Sequence, residues 1–348
     1  MEQQTVLIGM SGGVDSSVAA WLLQSQGYRC IGGTMLLHDR AADTADANQV
    51  AARLSIPFHV FDHCAAFRQH VMEDFTRSYE YGLTPNPCIV CNKRLKFGTF
   101  LQQALAMGCD YVATGHYARI EKDGRTGRYL LKKAADEAKD QSYFLYNLDQ
   151  HQLAHSLFPL GELTKEQARI FAQEQGFINA RKKDSQDICF IPDGDYPAFL
   201  RRHTGKAYPA GDFLDEQGRI VGRHTGAVDY TIGQRKGLGL AMGKPVYVCS
   251  KDMAANTVTV SDNAALLRTT LLADDWNFIA FDFPTAPLRC AAKARSRMNE
   301  QSCTLYPEAD GRCRVVFDVP QRALTPGQAV VLYDGDTVLG GGTIREVL

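Results

Sequence analysis

The strongest constraint on this chain is the alternation of short apolar runs with helical patterns over its first hundred or so residues. Residues 6–9, 31–35 and 58–61 read as strands, with helices after Asp15, Thr44 and Cys64. Strands joined by helical crossovers pair in parallel, so the pattern predicts an α/β fold with a doubly wound, mostly parallel sheet. A fourth run, Tyr111-Val112-Ala113, follows a helical stretch over 95–107 and ends in Thr114-Gly115-His116. Polar residues just past a strand's carboxyl end lie where open parallel sheets bind ligands.

With 348 residues, and roughly 100–200 per domain, two or three domains are expected. Residues 150–176 read as helical, with Thr164 and Gln167 as a capping box. From Gly211 onward helical periodicity fades, and short strands at 246–248, 258–260 and 315–317 are separated by turn residues. The division expected is 1–205, 206–265 and 266–348, the last two β-rich. His-Thr-Gly occurs at 203–205 and 224–226 without extended similarity, so no repeat architecture follows. A 22% charged, 45% hydrophobic composition excludes a disordered chain. The net charge of -1 gives no hint of a polyanionic partner, so any nucleic-acid surface must be local. No apolar stretch approaches a membrane span and the start has no basic n-region, so a cytoplasmic protein with no membrane partner is expected. The ten cysteines, without a small-domain spacing, suit reduced thiols better than a disulfide framework.

The first strand leads through Gly9 and Met10 into Ser11-Gly12-Gly13-Val14-Asp15-Ser16-Ser17 and an apolar helix. Such a junction is an anion site: glycines let backbone N–H groups approach, hydroxyls donate, and the helix dipole favours negative charge. The lysine of the common G-x-x-x-x-G-K-[ST] loop is absent, and Asp15 is placed to help hold magnesium on the phosphates. A Gly-Ser turn with Asp15 as N-cap explains the string but not its position at the first strand–helix junction. The loop resembles that of the ATP pyrophosphatase (PP-loop) superfamily, which includes argininosuccinate synthetases, guanylate synthetases and RNA thiolases. The resemblance implies ATP splitting to AMP and pyrophosphate.

Thr84-Pro85-Asn86-Pro87-Cys88-Ile89-Val90-Cys91 joins two helical stretches, its prolines stiffening a loop that ends in C-x-x-C. Lys183-Asp184-Ser185-Gln186-Asp187-Ile188-Cys189-Phe190 places another cysteine in a polar setting. Thiols react as thiolates, which nearby cations favour; Lys93, Arg94, Lys96, Lys182 and Lys183 are neighbours in sequence. Three readings stand: nucleophile and sulfur carrier, an iron–sulfur or other metal site through Cys88, Cys91 and Cys189, or inert packing. Cys30, Cys64, Cys109, Cys249, Cys290, Cys303 and Cys313 read as packing.

These segments, together with Ala113-Thr114-Gly115-His116-Tyr117-Ala118-Arg119, Gln141-Ser142-Tyr143-Phe144-Leu145, Tyr230-Thr231-Ile232-Gly233-Gln234-Arg235, Thr325-Pro326-Gly327-Gln328 and Leu339-Gly340-Gly341-Gly342-Thr343-Ile344, resemble bacterial tRNA-specific 2-thiouridylases, the MnmA family, over nearly the whole chain. The resemblance implies a PP-loop catalytic domain at 1–205, a central tRNA-contacting domain at 206–265 and a C-terminal barrel-like domain at 266–348. It implies Cys91 as nucleophile and Cys189 as the persulfide carrier. Gly9, Met10, Ser11, Gly12, Gly13, Val14, Asp15, Ser16, Met35 and Gly115 match ATP contacts. Asn86, Pro87 and Cys88 match positions that meet the target base, and His116, Lys139, Asp140, Gln141, Arg295, Ser296 and Gln328 match tRNA contacts.

The activity implied is ATP-dependent adenylation of the C2 oxygen of the wobble uridine, followed by sulfur transfer. Its cofactors are ATP and Mg2+; its partners are tRNA and a sulfur donor protein, a cysteine desulfurase or a relay protein. Position 88 is Cys where other members carry Asp, which keeps an iron–sulfur-dependent RNA thiolase open beside the persulfide scheme. The other rivals are a PP-loop synthetase that adenylates a small-molecule carbonyl for attack by an amine, and a non-catalytic tRNA-binding or redox-sensing protein. Two basic stretches are candidate tRNA tracks: 219–251, with six Lys or Arg against Asp229 alone, and Arg289, Lys293, Arg295 and Arg297.

Overall fold

The computed structural model describes residues 3–37, 41–182 and 188–348. The opening strands β1 (Thr5–Gly9), β2 (Arg29–Leu36), β3 (Phe58–Asp62) and β4 (Tyr111–Thr114) pair in parallel in the order β3-β2-β1-β4, with the short strand Ser156–Leu157 added beside β4. Strand order reverses around β1, the switch point at which open sheets bind ligands. Side chains alternate across a strand: Val6 and Ile8 pack with helix α1 (Val14–Ser25) on one face, and Leu7 with Phe97 and Phe100 on the other. Both faces are covered, which is why the predicted strands are nearly continuous apolar runs.

Several boundaries differ from expectation. The helix at the phosphate loop begins at Val14 with Gly13 as N-cap, so Asp15 lies in its first turn and is not its cap. The stretch expected to be helical over 150–176 is interrupted: Gln150–Ala154 and Lys165–Glu174 are helical, and Ser156–Leu157 extends the sheet. The Thr164–Gln167 capping box is present in both directions. The C-x-x-C motif does not end a loop but forms the short helix Pro87–Cys91, with Pro87 in the first turn, where its missing N–H costs nothing. That helix runs into a π-helical segment, Asn92–Thr99, and then Phe100–Ala106. Gly98 sits in the π segment, where a Cβ would stand 2.9 Å from the Lys93 carbonyl oxygen.

A four-stranded sheet follows, in the order Tyr247–Asp252, Thr257–Ser261, Gly211–Leu214, Ile220–His224. Beyond it, the strand Leu267–Phe278 pairs with both Cys313–Arg322 and Thr337–Val347 and so closes a six-stranded antiparallel barrel. The hairpin of Arg119–Lys122 and Tyr129–Lys132, within the 1–205 segment, joins this barrel's sheet through Thr337↔Lys132 and Val338↔Leu131. Among the described residues no helix is long and apolar enough to cross a membrane.

Candidate active site

The phosphate loop is braced by residues from distant segments. The chain turns at Gly12, where φ is +69°, a backbone state that favours glycine. Ser16 and Ser17 hydroxyls donate to the Gly13 carbonyl at 3.1 and 3.0 Å, and the Ser11 N–H donates to Ser16 Oγ at 3.2 Å. Asn179 Nδ2 donates to the carbonyls of Gly12 and Gly13 at 3.2 Å each and to Ser17 Oγ at 2.9 Å. Lys182 Nζ reaches the Gly12 carbonyl at 3.4 Å and Asp46 at 3.0 Å. The carbonyl side of the loop is therefore held by protein, while the first-turn amides of α1 lack partners within the helix and face the anion position.

Asp15 differs from expectation. Lys165 Nζ meets both its carboxylate oxygens, at 2.7 and 2.8 Å, and the Tyr117 hydroxyl donates to one of them at 3.0 Å. Lys165 itself is only 8% exposed. A carboxylate already neutralised by a nearly buried lysine does not fit as a magnesium ligand. The cation missing from the loop motif thus arrives from another helix. Its trace in the sequence is a lysine directly after a helix N-cap, at the dipole end that disfavours cations.

Gly115 lies behind this turn: a Cβ there would stand 2.7 Å from both the Asp15 carbonyl carbon and the Ser16 nitrogen. Met10 is buried, and its carbonyl accepts from Thr34 Oγ1 at 2.6 Å, so its side chain belongs to the core. Met35 is half-buried near the carboxyl end of β2, and Gly9 ends β1 in ordinary contact with Thr114.

His116 follows Gly115 directly. It is buried, bonds Thr114 Oγ1 through Nδ1 at 2.7 Å, and packs against Phe97 and Phe158. Burial, reinforced by the Lys96 charge, holds its pKa well below the ordinary histidine value, so it is a neutral imidazole. Lys96 also acts on the cysteines. Burial pushes Cys91 up to about 12, with the Lys96 cation opposing it and the charges of Cys189 and Cys88 adding to it. Cys88 has open surface but crowded surroundings, which raise its pKa, again against Lys96. The Lys96 charge thus acts both on His116, which follows Gly115 at the anion loop, and on the cysteines of the C-x-x-C helix.

Cys189 is exposed and its neighbour Phe190 is packed edge-on against Phe67 and Phe75 and tilted on Phe199. Phe67 and Cys91 share one apolar cluster, which anchors the Cys189 segment beside the nucleophile candidate. None of Cys88, Cys91 and Cys189 is in a disulfide, and among the described residues no group of three or more His, Cys, Asp or Glu is arranged to hold a metal. Lys183 and the other residues at 184–187 lie outside the described residues.

The remaining predicted contacts divide by role. Asn86 caps the C-x-x-C helix and Pro87 is buried in its first turn. Gln328 Nε2 donates to the Thr84 carbonyl at 2.8 Å, tying the barrel to the segment that enters this helix. Gln141 and Tyr117 exchange bonds, at 2.8 Å between backbones and 3.0 Å to Gln141 Oε1. Asp140 accepts from Ala134 N and Ser142 Oγ, closing the turn that carries Lys139. The Arg295 guanidinium is turned inward onto Ala323 O, Thr325 Oγ1 and Ile232 O, whereas Ser296 is exposed. Of the first basic stretch, Arg235, Lys236 and Lys244 are exposed, Arg219 and Arg223 pair with Asp215 and Asp212, and Lys251 is turned inward with its pKa lowered to about 8 by burial. Of the second, Arg289 and Lys293 are paired and Arg297 is exposed.

An open parallel sheet with a braced anion loop at its switch point defines a phosphate-binding α/β domain, and residues 4–193 match the family described as "tRNA methyl transferase HUP domain". Residues 197–262 match its "PRC-barrel domain" and 268–344 an "Aminomethyltransferase beta-barrel domain". The protein named tRNA-specific 2-thiouridylase MnmA from Clostridioides difficile is 47% identical over 355 residues, covering 99% of this chain and 98% of its own. Those of the same name from Acetivibrio thermocellus and Symbiobacterium thermophilum are 48% and 49% identical, covering 99% of this chain and 100% and 92% of their own. The chain belongs to the MnmA family of tRNA-specific 2-thiouridylases.

Proposed function

We propose that this enzyme is a tRNA-uridine 2-sulfurtransferase of the cytoplasm, which adenylates the C2 oxygen of a wobble uridine with ATP and replaces it with sulfur. The observation that carries the reading is the braced anion loop together with the packing of Phe190 on Phe67 that anchors the Cys189 segment beside Cys91. The Ser11 and Ser16 hydroxyls and the first-turn amides of α1 receive the β and γ phosphates. Magnesium bound to ATP would supply further charge neutralisation there, without a protein ligand at Asp15. Uridine O2 attacks the α phosphorus, the bond to the bridging oxygen breaks, and pyrophosphate leaves. Lys165 keeps the Asp15 carboxylate from repelling the nucleotide, and Lys182 adds a second cation at the loop. Preorganised charge of this kind acts without reorganisation during reaction.

Cys189, being exposed, accepts the terminal sulfur of a donor protein, a cysteine desulfurase or a relay protein. The persulfide's outer sulfur attacks C2 and AMP departs; Cys91 then attacks the inner sulfur, releasing 2-thiouridine and leaving a Cys91–Cys189 disulfide for an external thiol to reduce. Buried and held protonated, Cys91 does not attack the persulfide before the outer sulfur has attacked C2. Asn86, Pro87 and Cys88 receive the flipped base, with Lys139, Asp140 and Gln141 beside them. Gln328 and Arg295 act by placing the Thr84–Pro85 entry and the barrel loops. Arg235, Lys236, Lys244 and Arg297 are the exposed cations for tRNA phosphates, whose contribution weakens with salt.

The test is mass spectrometry of nucleosides from unmodified tRNA incubated with the protein, ATP, magnesium and a persulfide donor, with pyrophosphate measured in parallel. ATP-dependent 2-thiouridine and tRNA-dependent pyrophosphate are expected. Pyrophosphate release without tRNA, and no thiolated nucleoside, would move the reading to the small-molecule synthetase.

A further inference from the structure

The C-terminal barrel holds a second pair of thiols. Strands Leu288–Lys293 and Gln301–Pro307 are antiparallel, with Cys290 directly opposite Cys303. Their Sγ atoms are 3.6 Å apart and both thiols are free. Directly opposed antiparallel residues have Cα atoms about 4.5–5.5 Å apart, inside the window of roughly 4.4–6.8 Å that a disulfide spans. Closing the bond therefore needs side-chain rotation and no movement of strands.

The two thiols are unequal. Cys303 is fully buried among Leu305, Phe317 and Ala292, while Cys290 is partly open to solvent. The two Sγ atoms are hydrogen-bonded to each other, and Arg289 lies beside the pair, its guanidinium held by Asp318. That hydrogen bond, helped by Arg289, pulls Cys290 below the ordinary thiol value against burial and Asp334, while the same bond and burial push Cys303 upward against Arg289. A partly open cysteine with a buried thiol 3.6 Å behind it is the arrangement of an attacking and a resolving cysteine.

We propose that Cys290 and Cys303 form a thiol–disulfide exchange site, separate from Cys91 and Cys189, whose substrate is a low-molecular-weight disulfide RSSR. Cys290 attacks one sulfur of RSSR, breaking its S–S bond and releasing one thiolate, RS−. Cys303 then attacks Cys290 Sγ in the mixed disulfide, releasing the second. The cysteines lose two electrons and two protons; RSSR gains both and becomes two RSH. The product is a covalent rung across the barrel hairpin, set by the thiol–disulfide ratio of the surroundings.

The experiment incubates the full chain with oxidised glutathione, alkylates the remaining thiols, and maps the cysteines by mass spectrometry. A peptide joining Cys290 to Cys303, two hydrogens lighter than the reduced pair, is expected. Cys303→Ser retains glutathione on Cys290 for want of a resolving thiol, and Cys290→Ser leaves Cys303 as unmodified as buried Cys30. Thiolation of tRNA stays at the wild-type rate in both variants, which also shows that they fold. Alkylation of both Cys290 and Cys303 in the oxidised wild type, to the extent seen in reduced protein, would overturn the proposal, as would a Cys303→Ser variant without an adduct.

Discussion

At the phosphate loop, Asn179, Lys182, Lys165 and Tyr117 arrive from three separate segments and hold the carbonyls and the carboxylate in place. At the thiols the arrangement is the reverse: Cys91 is buried and protonated, Cys189 is exposed, and the two are not bonded. One half of the site is built before its ligand arrives, and the other must be brought into reaction. The contrast matches the order of the chemistry proposed above, in which adenylation uses a fixed charge environment and sulfur transfer uses two thiols that meet after C2 is activated.

The largest effect expected separates the halves completely. Cys91→Ser and Cys189→Ser each reduce 2-thiouridine to background while tRNA-dependent pyrophosphate release stays close to wild type; thiolation surviving in either variant breaks the two-cysteine scheme. On the loop side, Lys165→Met leaves Asp15 uncompensated and should slow pyrophosphate release about 10²–10³-fold, the range for loss of one preorganised charge partner. A change of only a few-fold would reduce Lys165 to a structural neutraliser.

Gly115→Ala sharpens the comparison from the packing side. Its Cβ would press on the Asp15–Ser16 backbone at 2.7 Å, so a loss of about 1–3 kcal/mol in stability is expected in a melting curve, with pyrophosphate release falling and Cys189 alkylation unchanged. The smallest effect concerns pH. Below a pKa of about 12, the Cys91 thiolate fraction, and so its iodoacetamide alkylation in the free enzyme, rises about tenfold per pH unit between pH 7 and 10. A plateau below pH 9 would mean that Cys91 is already primed. The sign for stability is opposite: a thiol raised by burial is neutral in the fold, so its contribution is complete below the ordinary value of 9.0 and is lost as pH climbs towards 12.

Much of the sheet was legible because its strands carry short apolar runs, and the Thr164–Gln167 box was legible as a local capping signal. The anion loop could be read as a contiguous string. What could not be read depends on contacts between distant segments. Nothing near Asp15 announces that Lys165, 150 residues on, will neutralise it, although a lysine at the wrong end of a helix dipole was a trace of it. Asn179 looks like any turn residue. Arg295 and Gln328 appear in sequence as polar residues free to meet a ligand, yet the fold turns both onto its own backbone. The pairing of Cys290 with Cys303 requires strand register, which composition does not encode.

The hairpin within residues 119–132 completes its sheet only against Thr337 and Val338, about 200 residues further along the chain. At a synthesis rate of roughly 5–20 residues per second, the amino-terminal α/β unit waits on the ribosome for some 10–40 s with that edge unpaired. An unpaired edge invites pairing with other chains, so the nascent protein has a long interval in which a chaperone has reason to attend it, and a nonsense mutation late in the gene damages the part made first.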